Sequence, residues 1–151
     1  MTLTMYEMTI PTMLRGFGAL SRYLERAEEF VRVSGLKASH SVQARPAPDM
    51  LTFAGQIQRA SDKAKGGVAK LAGIESPSFP DAESTFEELD ARVAKTVLFL
   101  RPVDAKLFDG SEWCSVDFPN LAGFQMRAAV GKVISIATAR QPRLRRAKRR
   151  L

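Results

Sequence analysis

The 151-residue sequence has very little cysteine or histidine, since it contains one residue of each, Cys114 and His40. A single cysteine cannot form an internal disulfide, which excludes a secreted disulfide-stabilised scaffold and indicates a reducing compartment. No uncharged apolar run approaches the ~18 residues that a membrane span needs. The start of the chain, Met1–Glu7, lacks the basic and apolar regions of a secretory signal. We therefore predict a cytoplasmic protein.

The scarcity of these residues also limits the chemistry that the sequence predicts. A zinc site needs three or four converging His, Cys or carboxylate ligands, whereas His40 and Cys114 lie far apart in the sequence. Gly16-Phe-Gly18 lacks the third glycine of a dinucleotide-binding loop, and no Gly-x-Ser-x-Gly sequence occurs. We therefore predict no catalytic residue, no metal ligand and no cofactor. We expect His40 to be an exposed loop residue and Cys114 a packed or half-exposed thiol.

The positive charge of the sequence is confined to its last residues. The formal net charge is +7, but residues 1–139 contain 16 basic and 16 acidic side chains. The excess lies in residues 140–151, which we interpret as a solvated, disordered tail beside a helical domain of residues 1–139. Such a tail attracts nucleic acid through counterion release, or anionic membranes, weakly and without sequence preference. The residues predicted to contact polyanions are Arg140, Arg143, Arg145, Arg146, Lys148, Arg149 and Arg150.

Apolar residues recur at steps of three and four in the first half of the chain, which is the pattern of amphipathic helices. The regular part of the first predicted helix runs from about Pro11 to Gly35, because proline suits a first turn and glycine a C-terminal position. The pattern assigns neither helix nor loop to residues 3–9. The second predicted helix begins at a cap formed by Asp49. It ends at Gly73.

A third predicted helix begins at a capping box and ends before Pro102. The box is one of two overlapping pairs, Ser84 with Glu87 or Thr85 with Glu88. In this helix Glu88 and Arg92 are four residues apart, and we expect an exposed ion pair worth only tenths of a kcal/mol.

The second half of the chain contains a fourth helical pattern, over residues 126–139. Before it, residues 111–125 predict a small β-hairpin or an irregular excursion. Four amphipathic helices joined by short connections predict an all-α fold, an antiparallel four-helix bundle.

A polar set near the second predicted helix is the strongest candidate for a ligand pocket. Asp49, Gln56 and Arg59 are separated by seven and ten positions, which places them on one side of a helix. With Arg45 and Asp62 they would line a small pocket between helices, in which Arg45 binds an anionic group. The alternative interpretation is a helix cap followed by a solvated face with weak ion pairs.

Several short motifs occur together over about residues 3–110. They include Leu3-Thr-Met-Tyr6, Ile10-Pro11, Ala44-Arg45, Pro48-Asp49-Met50, Ala60-Ser-Asp62, Leu71-Ala-Gly73 and Thr85-Phe86. In these motifs the sequence resembles a bacterial family known only as domain of unknown function 1993. This family belongs with the DinB/YfiT-like four-helix bundles, some of which hold a divalent metal on three histidines. The resemblance therefore implies a four-helix bundle without an established reaction.

The C-terminal part departs from the family pattern. Ser135 occupies the position where the family has histidine in its last helix, and nothing corresponds to the family after Ala139. Arginine-rich sequence without acidic residues is a common product of reading GC-rich DNA out of frame. We therefore hypothesise that the sequence from about residue 127 or 140 onward reflects a frameshift or a deletion.

Three functions are consistent with these observations. The first is a bundle protein that binds a small molecule between its helices. The second is a binding module whose basic tail contacts nucleic acid or an anionic membrane. The third is a C-terminally altered family member without independent activity.

Overall fold

The computed structural model of the chain describes residues 4–111, together with the backbone of residues 115–117 and 125–127. The described part of the chain is predominantly helical, which confirms the all-α class. Three long helices carry the core, and a short helix and a 3₁₀ helix lie in their connections. The elements are α1 (Met5–Val33), α2 (Ala38–Gln43), α3 (Phe53–Ala72), α4 (Phe86–Leu100), a 3₁₀ helix (Ala105–Phe108), β1 (Ser115–Asp117) and β2 (Gln125–Arg127).

The first helix begins at Met5, within the residues 3–9 that the sequence pattern left unassigned. Thr4 and Glu7 form a capping box, in which the Thr4 side chain accepts from the Glu7 N–H and Glu7 accepts from the Thr4 N–H. The hydrogen bonds from Thr4 lower the pKa of Glu7 below its ordinary value. This box places Pro11 inside the helix rather than in its first turn. The cost is one backbone hydrogen bond, because proline has no N–H.

The connection between α1 and α3 differs from the prediction in two ways. It contains the short helix α2, which includes His40, so that this exposed residue is helical rather than in a loop. The cap of α3 is Thr52, whose hydroxyl accepts from the Gly55 N–H, and not Asp49. Residues 45–52 form a loop between α2 and α3. The hydrogen bond from the Phe53 N–H to the carbonyl of Ala44 joins the two ends of this loop.

The start of α4 decides between the two capping boxes that the sequence offered. Thr85 and Glu88 form the box, and Glu88 also accepts from the backbone and the hydroxyl of Ser84. These hydrogen bonds, from Ser84 first and then Thr85, lower the pKa of Glu88. The carboxylate of Glu88 is therefore used at the helix start, and the predicted exposed pair with Arg92 does not form.

α4 is the central helix of the described bundle, since it packs along both α1 and α3 while α1 and α3 contact each other sparsely. α1 and α4 run antiparallel, as the sequence predicted. Ser21 in α1 hydrogen-bonds Asp90 in α4, whereas Glu28, further along α1, lies beside the earlier residue Phe86.

α3 and α4 differ from the antiparallel prediction, because they run in the same direction. The rings of Phe53 and Phe86, each the first residue of its helix, lie 5.8 Å apart. Further along both helices, the hydroxyl oxygens of Ser61 and Thr96 lie 2.7 Å apart. The connection over residues 73–85 must therefore run back along α3 before α4 begins.

The core consists mainly of one line of buried residues on each long helix, and Val42, Val103 and Phe108 from the shorter segments complete it. On α1 the buried residues Ile10, Phe17, Leu24 and Val31 are spaced by seven, as the periodicity predicted. On α3 Ile57 and Ala64 are buried, whereas Ala60 is exposed and Met50 lies in the loop before the helix. The buried residues of α3 are Ala54, Ile57, Ser61, Ala64, Lys65, Val68, Ala69 and Ala72.

After Ser111 the structure describes two short strands. β1 and β2 pair antiparallel, with Val116 opposite Met126, where a hairpin was one of the two predictions. Because Met126 and Arg127 belong to β2, the fourth predicted helix does not begin at Met126. Cys114 and the rest of that predicted helix lie outside the described residues, as does the basic tail 140–151. Within the described residues no helix is long and apolar enough to cross a membrane.

The central position of α4 makes its buried leucine a sensitive probe of the fold. We expect Leu89→Ala to lower the free energy of unfolding by about 2–5 kcal/mol, because Leu89 is fully buried and its truncation leaves a cavity. The matched control is Leu98→Ala in the same helix, at a side chain 68% exposed, which should change stability by less than about 0.5 kcal/mol. Urea unfolding of both variants measures the difference. Equal losses would contradict the central role of α4.

Candidate ligand-binding site

Two basic side chains are buried between α3, α4 and the connection that joins them. Arg92 of α4 is 1% exposed and Lys65 of α3 is 2% exposed. Buried charges are costly unless they are paired and hydrogen-bonded. We call the group around them the buried cation cluster, which consists of Asp62, Lys65, Phe79, Asp81, Glu83 and Arg92.

Arg92 holds the connection with both of its terminal nitrogens. Nη1 donates to Glu83 at 2.8 Å and to the carbonyl of Pro80 at 3.0 Å. Nη2 lies 2.9 Å from a carboxylate oxygen of Asp62 and 2.9 Å from one of Asp81. Burial by itself lowers the pKa of Arg92, but the hydrogen bond and charge of Glu83, with the charges of Asp62 and Asp81, raise it above its ordinary value. Arg92 is therefore a permanent cation.

Lys65 holds the same connection from α3. Its Nζ donates to the carbonyl of Pro77 at 3.0 Å and lies 3.0 Å from Asp62. The ammonium group also lies 3.7 Å from the centre of the Phe79 ring, a distance at which the face of an aromatic ring attracts a cation. The aromatic ring of Phe79 therefore covers Lys65 on one side, and the oxygen atoms come from Pro77 in the connection and Asp62 in α3.

Glu83 is the carboxylate most enclosed by the cluster. It accepts from Arg92 through one oxygen and from Gln58 through the other, at 2.8 Å in both cases. Partial burial raises the pKa of Glu83, but the hydrogen bonds from Arg92 and Gln58 outweigh it and lower the pKa below its ordinary value of 4.5. The ionised form of Glu83 is thus the form that the folded state stabilises.

The buried cation cluster stabilises the fold and is not an open binding site. Carbonyl and carboxylate oxygens of the chain itself already occupy the cationic nitrogens. Among the buried polar side-chain atoms described, the Nε of Arg92 is the one without a hydrogen-bond partner. The cluster fixes residues 77–83 against both helices, and this sets the parallel direction of α3 and α4.

A groove between α1 and α4 provides the open concave surface on which the candidate site is built. Its volume is about 300 Å³. Its floor contains two buried apolar side chains, Leu24 and Phe86. Four carboxylates line it. We call this surface the acidic groove, and its residues are Leu24, Glu25, Glu28, Phe86, Glu87 and Asp90.

The local folding of both helices explains why the carboxylates of the acidic groove meet. Glu25 and Glu28 are three residues apart in α1, which places them on neighbouring turns of one face. Glu87 lies in the first turn of α4, where the positive end of the helix dipole favours an acidic residue. Asp90 follows one turn later and accepts a hydrogen bond from Ser21.

The acidic groove has an unbalanced negative charge. Within the described part of the chain, no basic side chain lies within ion-pair distance of Glu25, Glu28, Glu87 or Asp90. The described residues contain no group of three or more acidic, His or Cys side chains that could hold a metal ion. The four carboxylates therefore do not converge as metal ligands do. The groove therefore suits a cation that spreads over several carboxylates.

A second hollow of about 200 Å³ lies beside Arg92. Its charges are mixed, because Lys95 lines it together with Glu83 and Glu88. The carboxylates of both acidic residues are already engaged, Glu83 in the buried cation cluster and Glu88 in the α4 capping box. This hollow therefore offers a ligand less unpaired charge than the acidic groove does.

Three of the five residues that the sequence predicted as a pocket, Arg45, Gln56 and Asp62, have hydrogen-bond or ion-pair partners elsewhere in the structure. Arg45 donates to the carbonyl of Met50 at 2.6 Å, and Gln56 donates to the carbonyl of Leu51 at 3.2 Å, so both stabilise the loop before α3. Asp49 and Arg59 are exposed. Asp62 alone joins a polar cluster, the one around Arg92.

The residues of the acidic groove were not singled out in the sequence. Glu25 is an exposed residue of the first helix, and Glu87 was considered only as a partner in a capping box. The available signal was the density of acidic residues at the end of α1 and at the start of α4. Nothing in the sequence indicated that these two segments face each other.

Comparison with known proteins agrees with the fold. The family model described as a domain of unknown function, DUF1993, matches residues 5–138. A solved structure of a DinB family member from Shewanella denitrificans is similar, with a TM-score of 0.75 and 26% identity over 82% of this chain and 70% of that chain. No curated protein matches the sequence. The family match extends beyond residue 110, where the resemblance in the sequence ended, and includes residues 127–138.

Removal of the central cation tests the structural role of the cluster. We expect Arg92→Met to lower the free energy of unfolding by about 3 kcal/mol, the lower end of the range for breaking a buried ion pair. The lower end applies because Asp62 and Asp81 are partly exposed and can be hydrated. The control is Arg59→Met at an exposed position of α3, expected within about 0.5 kcal/mol of the unaltered chain. Comparable unfolding midpoints for the two variants would refute this role.

The lowered pKa of Glu83 predicts a loss of stability in acid. The contribution of Glu83 is complete above its unfolded pKa, and it is lost as the pH falls through the lower pKa of the folded state. Urea unfolding from neutral pH down to about pH 3 should therefore show a shallower acid loss in Glu83→Gln than in the unaltered chain. Glu75→Gln, outside the cluster, should keep the original profile. A Glu83→Gln profile parallel to that of the unaltered chain would contradict this assignment.

Proposed function

The chain belongs to the DUF1993 family and has a DinB-like fold, and from this premise we propose that it binds a small organic cation in the acidic groove. The ligand class is an amine with an apolar body. The observation that carries the proposal is the combination of an apolar floor with four carboxylates that have no basic partner among the described residues.

The size and the lining of the groove support a small ligand. Ligand sites in proteins have volumes of roughly 300–1,000 Å³ and combine apolar walls with a few polar groups. The acidic groove, at about 300 Å³, lies at the lower end of this range. Leu24 and Phe86 would contact the apolar body, and Glu28 and Glu87 would attract the ammonium group. This proposal places the site between helices, as the sequence analysis did, but with the opposite ligand charge.

The charge of the groove favours an organic cation over the alternatives. An anion would be repelled by all four carboxylates. A metal ion needs ligands that converge at short distances, and the described carboxylates do not converge in this way. An extended amine can contact carboxylates on α1 and α4 together, which relieves the repulsion between them.

Binding of simple amines tests the proposal directly. We expect phenethylamine to bind the full chain, detected as a rise in the melting temperature and as saturable chemical-shift changes. 2-Phenylethanol, which has the same apolar body without the charge, should bind at least about tenfold more weakly, a difference of 1.4 kcal/mol. The double variant Glu28→Gln/Glu87→Gln should weaken phenethylamine binding by about tenfold or more.

A matched control separates the groove from the general charge of the protein. Glu7→Gln/Glu75→Gln removes the same number of negative charges away from the groove and should leave the amine affinity unchanged. Equal affinity for phenethylamine and 2-phenylethanol, or equal weakening by the two double variants, would refute the proposal. The cytoplasmic location and the polyanion contacts of the tail stay predictions from the sequence.

A further inference from the structure

α1 carries a second apolar stripe that the described part of the chain leaves uncovered. Tyr23, Arg26, Phe30 and Val33 follow one another at steps of three and four residues, which places them on one side of the helix. Tyr23 and Phe30 are each 64% exposed, and Val33 is 72% exposed. Single exposed apolar residues are common, but a contiguous set indicates an interaction surface. We call these four residues the outer stripe of α1.

The outer stripe is distinct from the core line of the same helix. The core line, which includes Leu24 and Val31, is buried against the bundle. Tyr23 and Phe30 each precede a core residue by one position, and one residue corresponds to a rotation of about 100° around the helix. The outer stripe therefore faces away from the bundle centre, and none of its members belongs to the acidic groove.

Charges within and beside the outer stripe are arranged in a self-complementary way, with Arg26 among its members and Arg22 and Glu29 beside it. Arg22 and Arg26 lie toward its beginning and Glu29 toward its end, and all three are exposed. Within the chain Glu29 pairs with Arg32 at 2.7 Å in a fully solvent-exposed contact, which contributes little to stability. In an antiparallel pair of identical helices, the beginning of each stripe meets the end of the other.

We propose that the outer stripe of α1 is the interface of a two-fold symmetric dimer, with a second copy of this chain as its occupant. Tyr23 of each copy lies opposite Phe30 of the other in the antiparallel pairing. In this register Glu29 lies at the level between Arg22 and Arg26 of the second copy. Each contact occurs twice, as a two-fold interface requires. The proposal is independent of the proposed ligand, because it uses a different face of α1.

Charge exchange between two variants tests this pairing. Glu29→Arg makes positions 22, 26 and 29 all basic, and Arg22→Glu/Arg26→Glu makes the same three positions all acidic. Alone, each variant should show a dimer dissociation constant at least about tenfold higher than that of the unaltered chain. Mixed in equal amounts, they should form a heterodimer, because each then provides the charges that the other lacks. Sedimentation equilibrium from micromolar to submillimolar concentration measures all three samples.

An apolar substitution pair provides the matched control. Phe30→Asp should raise the dissociation constant at least about tenfold, whereas Leu98→Asp, at an equally exposed leucine of α4, should leave it unchanged. A monomeric unaltered chain at submillimolar concentration would overturn the proposal and would point to a segment of the same chain as the occupant. Failure of the charge variants to form a heterodimer would overturn it as well, even if each variant folds.

Discussion

The ion pairs of Arg92 are the interaction on which the arrangement of this bundle depends. A single buried guanidinium contacts Asp62 on α3, Asp81 and Glu83 in the connection, and the carbonyl of Pro80. A buried cation must be neutralised by partners close to it, so the connection has to lie across both helices. Lys65 and Phe79 reinforce the same placement. The cluster therefore fixes the path of the chain as well as stabilising it.

The path of this connection explains the position of the candidate site. Since residues 73–85 return along α3, α4 starts beside the start of α3, as the contact between Phe53 and Phe86 shows. The first turn of α4 then meets the C-terminal half of α1, which runs in the opposite direction. Two acidic segments that are far apart in the sequence become the two walls of one groove. Its charge is thus a consequence of the bundle topology.

Membership of the DUF1993 family indicates a fold but no reaction. The described residues agree with this. They contain no group of side chains that could hold a metal, and their polar residues either complete the core or remain exposed on the helices. Two different sides of α1 carry the two proposals. One side supplies Glu25 and Glu28 to the groove proposed for amines, and the other supplies the stripe proposed for a second copy. Both proposals rest on charges that find no buried partner within the described chain.

The sequence by itself determined the helical class and the ends of α1 and α3, which lie just before the positive-φ glycines Gly35 and Gly73. It also determined the seven-residue spacing of the buried residues of α1, because these features depend on local periodicity and backbone preference. It misplaced the start of α3, which is capped by Thr52 and not by Asp49. Burial of Lys65 and Ser61 could not be read locally, because both are polar and their partners lie in distant segments. Only the tertiary structure decided the parallel direction of α3 and α4, and with it the acidic groove, since the ion pairs that fix it join residues about 9 to 30 positions apart.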